Sequence, residues 1–253
     1  MKMLIEPLFD KLAKLRLQGF QEALKEQLSQ GASDLCFEER LALLVEREWI
    51  VRENKRLSRR LHQAKLKQTA CIENIDFKIP RGLEKGRILE LAQLNWIKEH
   101  HNILITGPTG TGKTYLACAL AHRACLEGFN SRYFRLPRLL QDLHVARADG
   151  TYNKMLETLA KTDVVILDDW GLMPFSEESR RDLLECLDDR YQMRSTIITS
   201  QLPITHWHEY IAEATLADAI LDRLVHRAIK FQLTGDSLRK KQELLCKEQK
   251  TKK

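Results

Sequence analysis

The sequence has no Cys-x-x-Cys pair and no group of cysteines and histidines at zinc-ligand spacing. Its six cysteines, Cys36, Cys71, Cys118, Cys125, Cys186 and Cys246, are scattered singly. That excludes a zinc ribbon or finger and suits a reducing compartment. No run of eighteen apolar residues occurs, so no membrane-spanning helix is expected. Charges interrupt the opening MKMLIEPLFDKLAKL every few residues, too often for the apolar stretch of a secretory signal. The expectation is a cytoplasmic protein with no membrane partner. There is no internal repeat, and low complexity is confined to the lysine-rich end Lys247–Lys253.

What is present is a chain of 253 residues, enough for one well-buried domain and a smaller one. Lysine and arginine number 41 against 35 acids, a net charge of +6 that leans towards an acidic partner such as nucleic acid. Many soluble proteins are mildly basic, so the distribution of charge has to decide.

Residues 1–68 read as a small helical domain. Leu8, Leu12, Leu15, Phe20, Leu24 and Leu28 recur near helical period. Gly31-Ala32-Ser33-Asp34 breaks the pattern and offers Ser33 or Asp34 as a cap. A second helix follows, with Leu41, Leu44, Val45, Trp49 and Leu57 on one side. Its end is basic: Arg52, Lys55, Arg56, Arg59, Arg60, Lys65 and Lys67, with Glu53 the only acid among them. Residues 69–87, containing ENIDFKIPRGLEKG, read as an extended linker.

From residue 88 onward short apolar runs alternate with helical stretches. The runs are Asn102–Thr106, Arg132–Arg135, Asp163–Leu167, Thr196–Ser200 and Ile229–Leu233. This predicts an α/β fold, a mostly parallel sheet covered by helices on both faces. Cys118 and Cys125 fall in a helical stretch and are expected in its packed face.

Gly107-Pro108-Thr109-Gly110-Thr111-Gly112-Lys113-Thr114 fits the pattern G-x-x-x-x-G-K-S/T without a departure. The glycines permit a tight turn whose N–H groups point inward at phosphate, and the following helix start adds partial positive charge. Lys113 is placed to reach the β- and γ-phosphates, and the Thr114 hydroxyl to ligate Mg²⁺. The apolar strand NILIT before the motif and the helix from Tyr115 after it supply the context that a chance glycine-rich loop would lack. Residues 107–115, Tyr115 included, are the expected ATP cradle.

Val164-Val165-Ile166-Leu167 leads into Asp168 and Asp169, two carboxylates at the carboxyl end of a buried strand, where ligands of open α/β sheets sit. Asp168 is expected to hold Mg²⁺ through water and Asp169 to orient or deprotonate the attacking water. Two solvated acids capping a strand would be the bland alternative; the phosphate loop favours the site. Ser195–Pro203 is a further strand ending in polar groups. If it lies between the other two, Ser200 or Gln201 could reach the γ-phosphate or the water; a polar turn explains the same residues.

GPTGTGKT, VVILDDWG, IITSQLP and LDRL stand in the order and spacing of an AAA+ ATPase. The chain resembles the clade of replication initiators and helicase loaders, and within it the IstB-type transposition helpers that serve an IstA-type transposase. LRLQGFQEAL, IDFKIPRGL and the extended DDWG carry that placement. The resemblance covers nearly the whole chain. It implies a five-stranded parallel sheet of order 5-1-4-3-2 and assigns sensor I to Gln201, where the clade often carries Asn or Asp. It puts an arginine finger at Arg223, which would complete a neighbour's site in an ATP-dependent homo-oligomer. Without the resemblance, Arg223 reads as a surface charge paired with Asp222 or Asp218. Too little chain follows Leu233 for a full helical lid, and Arg239 is a candidate for a sensor II-like part.

The basic run Arg52–Lys67, seven bases against one acid, is expected to neutralise phosphates of double-stranded DNA. A second set, Arg132, Arg135, Arg138, Arg147 and Lys154, falls where the resembled clade carries DNA-facing elements. Together these imply an ATP- and Mg²⁺-dependent ATPase that assembles on DNA and assists a transposase. A replicative helicase loader is the alternative, although the zinc site that some loaders carry at the N-terminus has no counterpart here. A small-molecule kinase would need a lid and an acceptor pocket, neither of which the sequence suggests.

Overall fold

The structure, a computed structural model, describes residues 5–30 and 35–238. The expected cap at Ser33 or Asp34, Cys246, the lysine-rich end and Arg239 therefore lie outside the described residues. The chain divides into two compact units, Met1–Arg59 and Arg60–Lys253.

The first unit contains α1 (Ile5–Lys14), α2 (Gln18–Gln30) and most of α3 (Phe37–Ala64). The leucine periodicity that suggested one helix from Leu8 to Leu28 is broken at Arg16, whose φ of 58° is left-handed. Hydrogen bonds from Arg16 N to Ala13 O and from Leu17 N to Leu12 O close the end of α1. Helix α2 crosses α3 closely, because Gly19 has no side chain: a Cβ there would stand 2.9 Å from the Arg47 carbonyl. The buried Glu48 carboxylate accepts from the Phe20 N–H at 3.1 Å, filling one of the donors a helix start leaves open. Burial opposes its ionisation, but that bond and Arg52 outweigh it and hold the carboxyl below its usual range. On the apolar side of α3, Leu44 is buried while Leu41, Val45 and Trp49 are exposed.

The second unit is built on a parallel sheet. Its strands are β1 (Asn102–Thr106), β2 (Ser131–Arg135), β3 (Val164–Trp170), β4 (Ser195–Ser200) and β5 (Ala228–Gln232). The spatial order is β2-β3-β4-β1-β5, which is 5-1-4-3-2 read from the other edge, as the resemblance implied. Each expected strand is present, with ends moved by one to three residues for all but β1. Helices α4 (Lys85–Leu91), α5 (Asn95–Lys98) and α6 (Lys113–Leu126) belong to one face. Helices α7 (Leu136–Asp149), α8 (Tyr152–Lys161), α9 (Glu177–Asp188), α10 (Trp207–Ile211) and α11 (Ala214–Val225) cover the other.

Strand alternation sorts the core into two clusters. Ile103, Ile105, Val164, Ile166 and Ile197 face α6. Leu104, Val165, Leu167 and Ile198 face α7 to α9 and α11. Because both faces are covered, the central strands must be apolar throughout, which is why they read as unbroken runs. Helix α6 packs with small residues, and Cys118 and Cys125 are buried in it as expected. Residues 69–87, expected as an extended linker, pack within this unit: Ala70, Ile72 and Ile75 join the α6-side cluster, and Ile72–Asn74 form a short 3-10 turn.

Candidate nucleotide site

The order of strands places the site. Strand β4 lies between β1 and β3, so three strand ends converge: the loop after β1, Asp168 and Asp169 at the end of β3, and the polar end of β4. The loop 107–112 turns on glycines whose φ angles are positive, Gly107 at 144°, Gly110 at 87° and Gly112 at 94°. At Gly107 a Cβ would stand 2.2 Å from the Leu233 carbonyl, a backbone atom. Helix α6 begins at Lys113, and Leu116 N donates back to Gly112 O at 2.9 Å. The donors ahead of that bond belong to a first turn that a helix cannot satisfy by itself, the group that binds phosphate in such loops. The Lys113 ammonium reaches the carbonyls of Gly107 and Pro108 at 2.7 and 2.8 Å, inside the loop.

Asp168 is fully buried and shares its face of β3 with Val164 and Ile166. The Thr114 hydroxyl donates to its two oxygens at 2.9 and 3.1 Å. Thr199 donates to Oδ1, Tyr133 donates to Oδ2 at 2.5 Å, and Lys67 Nζ lies 3.2 Å from Oδ2. Burial alone would raise the Asp168 pKa; the hydroxyls of Thr199, Tyr133 and Thr114, with the Lys67 charge, outweigh it and hold the carboxyl below the usual range. Hard oxygen donors are what Mg²⁺ takes, so the Thr114 hydroxyl and Asp168 carboxylate fit that ion beside a bound phosphate.

Asp169 sits at a register shift between β3 and β4, with a left-handed φ of 65°. That conformation costs a non-glycine residue energy and is seen most where the surroundings fix it. The second carboxylate has a different partner from the first: Arg135 donates to Asp169 Oδ2 at 2.8 Å. The Asp169 hydrogen bond in turn raises the Arg135 pKa. Arg135, read from sequence as a DNA-facing cation, is thus a partner of Asp169.

Several site residues were not singled out from sequence. Thr199, at the end of β4, donates to Asp168, and strand parity could have found it, since it shares a face with Ile197. The buried Ser200 instead donates to the Trp170 carbonyl at 2.9 Å. Gln201 accepts from Thr109 at 2.7 Å, joining the end of β4 to the phosphate loop without touching either aspartate. Arg81, buried in the supposed linker, donates to the Thr111 carbonyl at 3.1 Å and braces the loop from below. Tyr115 Oη donates to the Cys71 carbonyl at 3.3 Å, tying the same segment to α6. After β5, Leu233 N donates to Thr106 O at 2.7 Å and Leu238 N to Gly110 O at 2.9 Å, so residues 233–238 line the loop's other side.

Arg223 is not in this site. It lies near the end of α11, its Nε 2.7 Å from Asp188 Oδ1, and its carbonyl accepts from Asn102 at the amino end of β1. Its acidic partner is therefore Asp188 of α9, not Asp222 or Asp218. The amino end of β1 is remote from the phosphate loop, which follows the carboxyl end of the same strand.

The basic residues have several fates. Arg52 is paired with Glu48 at 2.6 Å, Arg56 with Glu53 at 2.5 Å, and Lys55 donates to Gln18 at 2.6 Å. Arg147 is committed to buried Asp182. Arg138 reaches Asp142 at 3.0 Å and stands beside a cleft of about 710 Å³ that has Asp169 in its wall. Lys65 takes a left-handed φ of 47° just after α3. Arg59 closes the first unit. Arg60 instead meets Arg132 and Lys161, with Asn130 and Thr158, around a depression of about 270 Å³. Lys67 turns to Asp168 rather than to a surface shared with the others.

Comparison with known proteins agrees with this geometry. Residues 10–246 match the family described as IstB-like ATP binding protein. An insertion-sequence ATP-binding protein of Sinorhizobium fredii is 48% identical over 241 residues, covering 95% of this chain and 98% of that protein. Another, from Pseudomonas fluorescens, is 50% identical over 203 residues, covering 79% and 88%. Among solved structures, DnaI superposes with a TM-score of 0.58 at 23% identity, over 65% of this chain and 91% of that one. DnaA from Aquifex aeolicus gives 0.55 at 20% identity, over 69% and 53%. The structural likenesses establish an AAA+ fold, and with a family model spanning nearly all of its length the chain belongs to the IstB-like ATP-binding proteins of insertion sequences.

Proposed function

We propose that this protein is a Mg²⁺-dependent ATPase that assembles on double-stranded DNA and, in that state, assists the transposase of its insertion sequence. The observation that carries the reading is the division of labour between the two aspartates. Asp168 is buried against Thr114, where a cation and the phosphates meet. Asp169, on a left-handed backbone, is held by Arg135 instead. One carboxylate holds and the other orients water.

Lys113 and the loop N–H groups bind the phosphates. Thr114 and Asp168 would hold Mg²⁺, which would supply neutralisation of the phosphate charge. Asp169 takes or directs the proton of the attacking water. Gln201, bonded to Thr109, reports the state of the loop to the end of β4. Arg223 cannot serve its own subunit's nucleotide from the amino end of the sheet, so it acts on a neighbour's γ-phosphate, and the active form is a homo-oligomer.

The depression formed by Arg60, Arg132 and Lys161 supports the DNA half of the proposal, because it joins a cation from each of the two basic sets. Contacts of this kind neutralise backbone phosphates and carry little sequence information. The N-terminal unit and an IstA-type transposase are the expected partners in the larger assembly, and the cytoplasm is the expected place. ATP hydrolysis measured with and without duplex DNA tests the reading: DNA should stimulate turnover. Turnover indifferent to DNA, together with capture of a replicative helicase rather than a transposase, would favour the helicase-loader alternative.

A further inference from the structure

By its place in the sequence Lys67 belongs with the cations expected on DNA, yet its ammonium meets a buried carboxylate. Helix α3 ends at Ala64, Lys65 turns through a left-handed φ, and Ala64 and Ala70 are both buried. The few residues between are thus anchored at both ends. From this short span Lys67 Nζ comes to 3.2 Å from Asp168 Oδ2, with the lysine side chain 39% exposed and the aspartate side chain 1% exposed. The same oxygen receives Tyr133 and Thr114. Lys113 reaches the carbonyls of Gly107 and Pro108.

We propose that Lys67 is a positioning residue of the nucleotide site, whose ammonium competes with the divalent cation for the Asp168 carboxylate. This rests on the reading of Thr114 and Asp168 as the Mg²⁺ holders. Two cations on one carboxylate repel each other, and a carboxylate already neutralised attracts a metal less. Nucleotide without metal needs only the loop and Lys113. Lys67 thus sets the gap between metal-free and metal-bound nucleotide affinity. Because it follows α3 by three residues, the metal's hold on Asp168 and the position of the segment after α3 are linked: whatever draws that segment away from β3 favours metal binding.

The test uses the full chain and ADP, which avoids turnover. A fluorescent ADP is titrated in EDTA and in saturating Mg²⁺, and Mn²⁺ binding to the ADP-loaded protein is followed by electron paramagnetic resonance. Lys67→Met should bind the Mg²⁺ form about fivefold more tightly than wild type, the scale of a half-exposed ion pair, with affinity in EDTA unchanged within about twofold. Mn²⁺ should bind more tightly by a similar factor. Lys67→Arg should restore the wild-type gap, and matching thermal transitions check that all three proteins are equally folded. A wild-type gap in Lys67→Met overturns the proposal. So does a loss of Mg²⁺-nucleotide affinity, the mark of a residue that grips phosphate. A wild-type protein whose ADP affinity ignores Mg²⁺ altogether gives a different signature: it removes the metal role of Thr114 and Asp168 first, and the proposal with it.

Discussion

The two units of this chain treat their apolar side chains in opposite ways. The ATP-binding unit sorts its own into two clusters on the faces of one sheet, and its largest side chains, Trp170 and Trp207, are fully buried. Among its described apolar residues the N-terminal unit buries Leu12, Ala23 and Leu44, and leaves Phe37, Leu41, Val45 and Trp49 exposed along α3. Apolar surface of that kind marks protein contacts more often than structural need. On the proposed function, the ATP-binding unit is complete in its own core yet shares its catalytic machinery with a neighbouring copy, and the N-terminal unit offers this stripe to a partner.

The largest expected effect probes that sharing. Arg223→Ala leaves its own loop and aspartates untouched, so it should bind ATP like wild type and lose about 10³- to 10⁵-fold in the stimulated reaction. Lys113→Ala, which removes the loop's own ammonium, should lose nucleotide binding while remaining folded. Mixing the two inactive variants should restore turnover, because an interface made from one of each contains a whole site. Co-assembly without recovery would contradict action between subunits.

Asp169→Asn keeps the residue's size and removes its charge. Turnover should fall by about 10²-fold or more while ATP still binds, as measured by steady-state hydrolysis beside equilibrium titration. Normal hydrolysis would make Asp169 a strand cap held by Arg135.

The contrast in burial is sharpened by two tryptophans. Trp207 is fully buried, its indole N–H donates to the Leu202 carbonyl at 3.1 Å, and its ring lies 4.9 Å from that of Trp170. Trp207→Ala should cost about 3–5 kcal/mol in denaturant unfolding. Trp49 is 59% exposed, and Trp49→Ala should stay within about 0.5 kcal/mol. A large stability loss at Trp49 would mean that the first unit has a core of its own.

The smallest effect concerns DNA. Changing Arg60, Arg132 and Lys161 to Ala should weaken all duplexes alike. It should also flatten the slope of log K against log salt by roughly one unit for each phosphate no longer neutralised. An unchanged slope would clear that depression of any phosphate.

What the sequence made legible follows the same division. The sheet, the phosphate loop and the paired aspartates were readable because unbroken apolar runs and a glycine-fixed turn leave few alternatives, whereas the strand order came from the family resemblance alone. Tyr133 and Arg81 were not readable, since each acts through a strand neighbour or a fold-back that no local pattern records, and Thr199 was marked by strand parity alone. Lys67 shows the limit of charge counting: a lysine in a basic run is assigned by what its backbone turns it towards, and the left-handed residue before it leaves no local signature. In the N-terminal unit periodicity found helices but not which face is covered: Leu41, Val45 and Trp49 repeat like a core stripe and are exposed.

The central claim is that ATP joins copies of this chain on DNA. Sedimentation of Asp169→Asn with a duplex, in ATP and then in ADP, tests it most directly, because hydrolysis is slowed while the binding groups remain. A large protein–DNA assembly in ATP that falls to monomers or small species in ADP is the expected result. The same monomeric species with both nucleotides, or equal assembly without any, would contradict it.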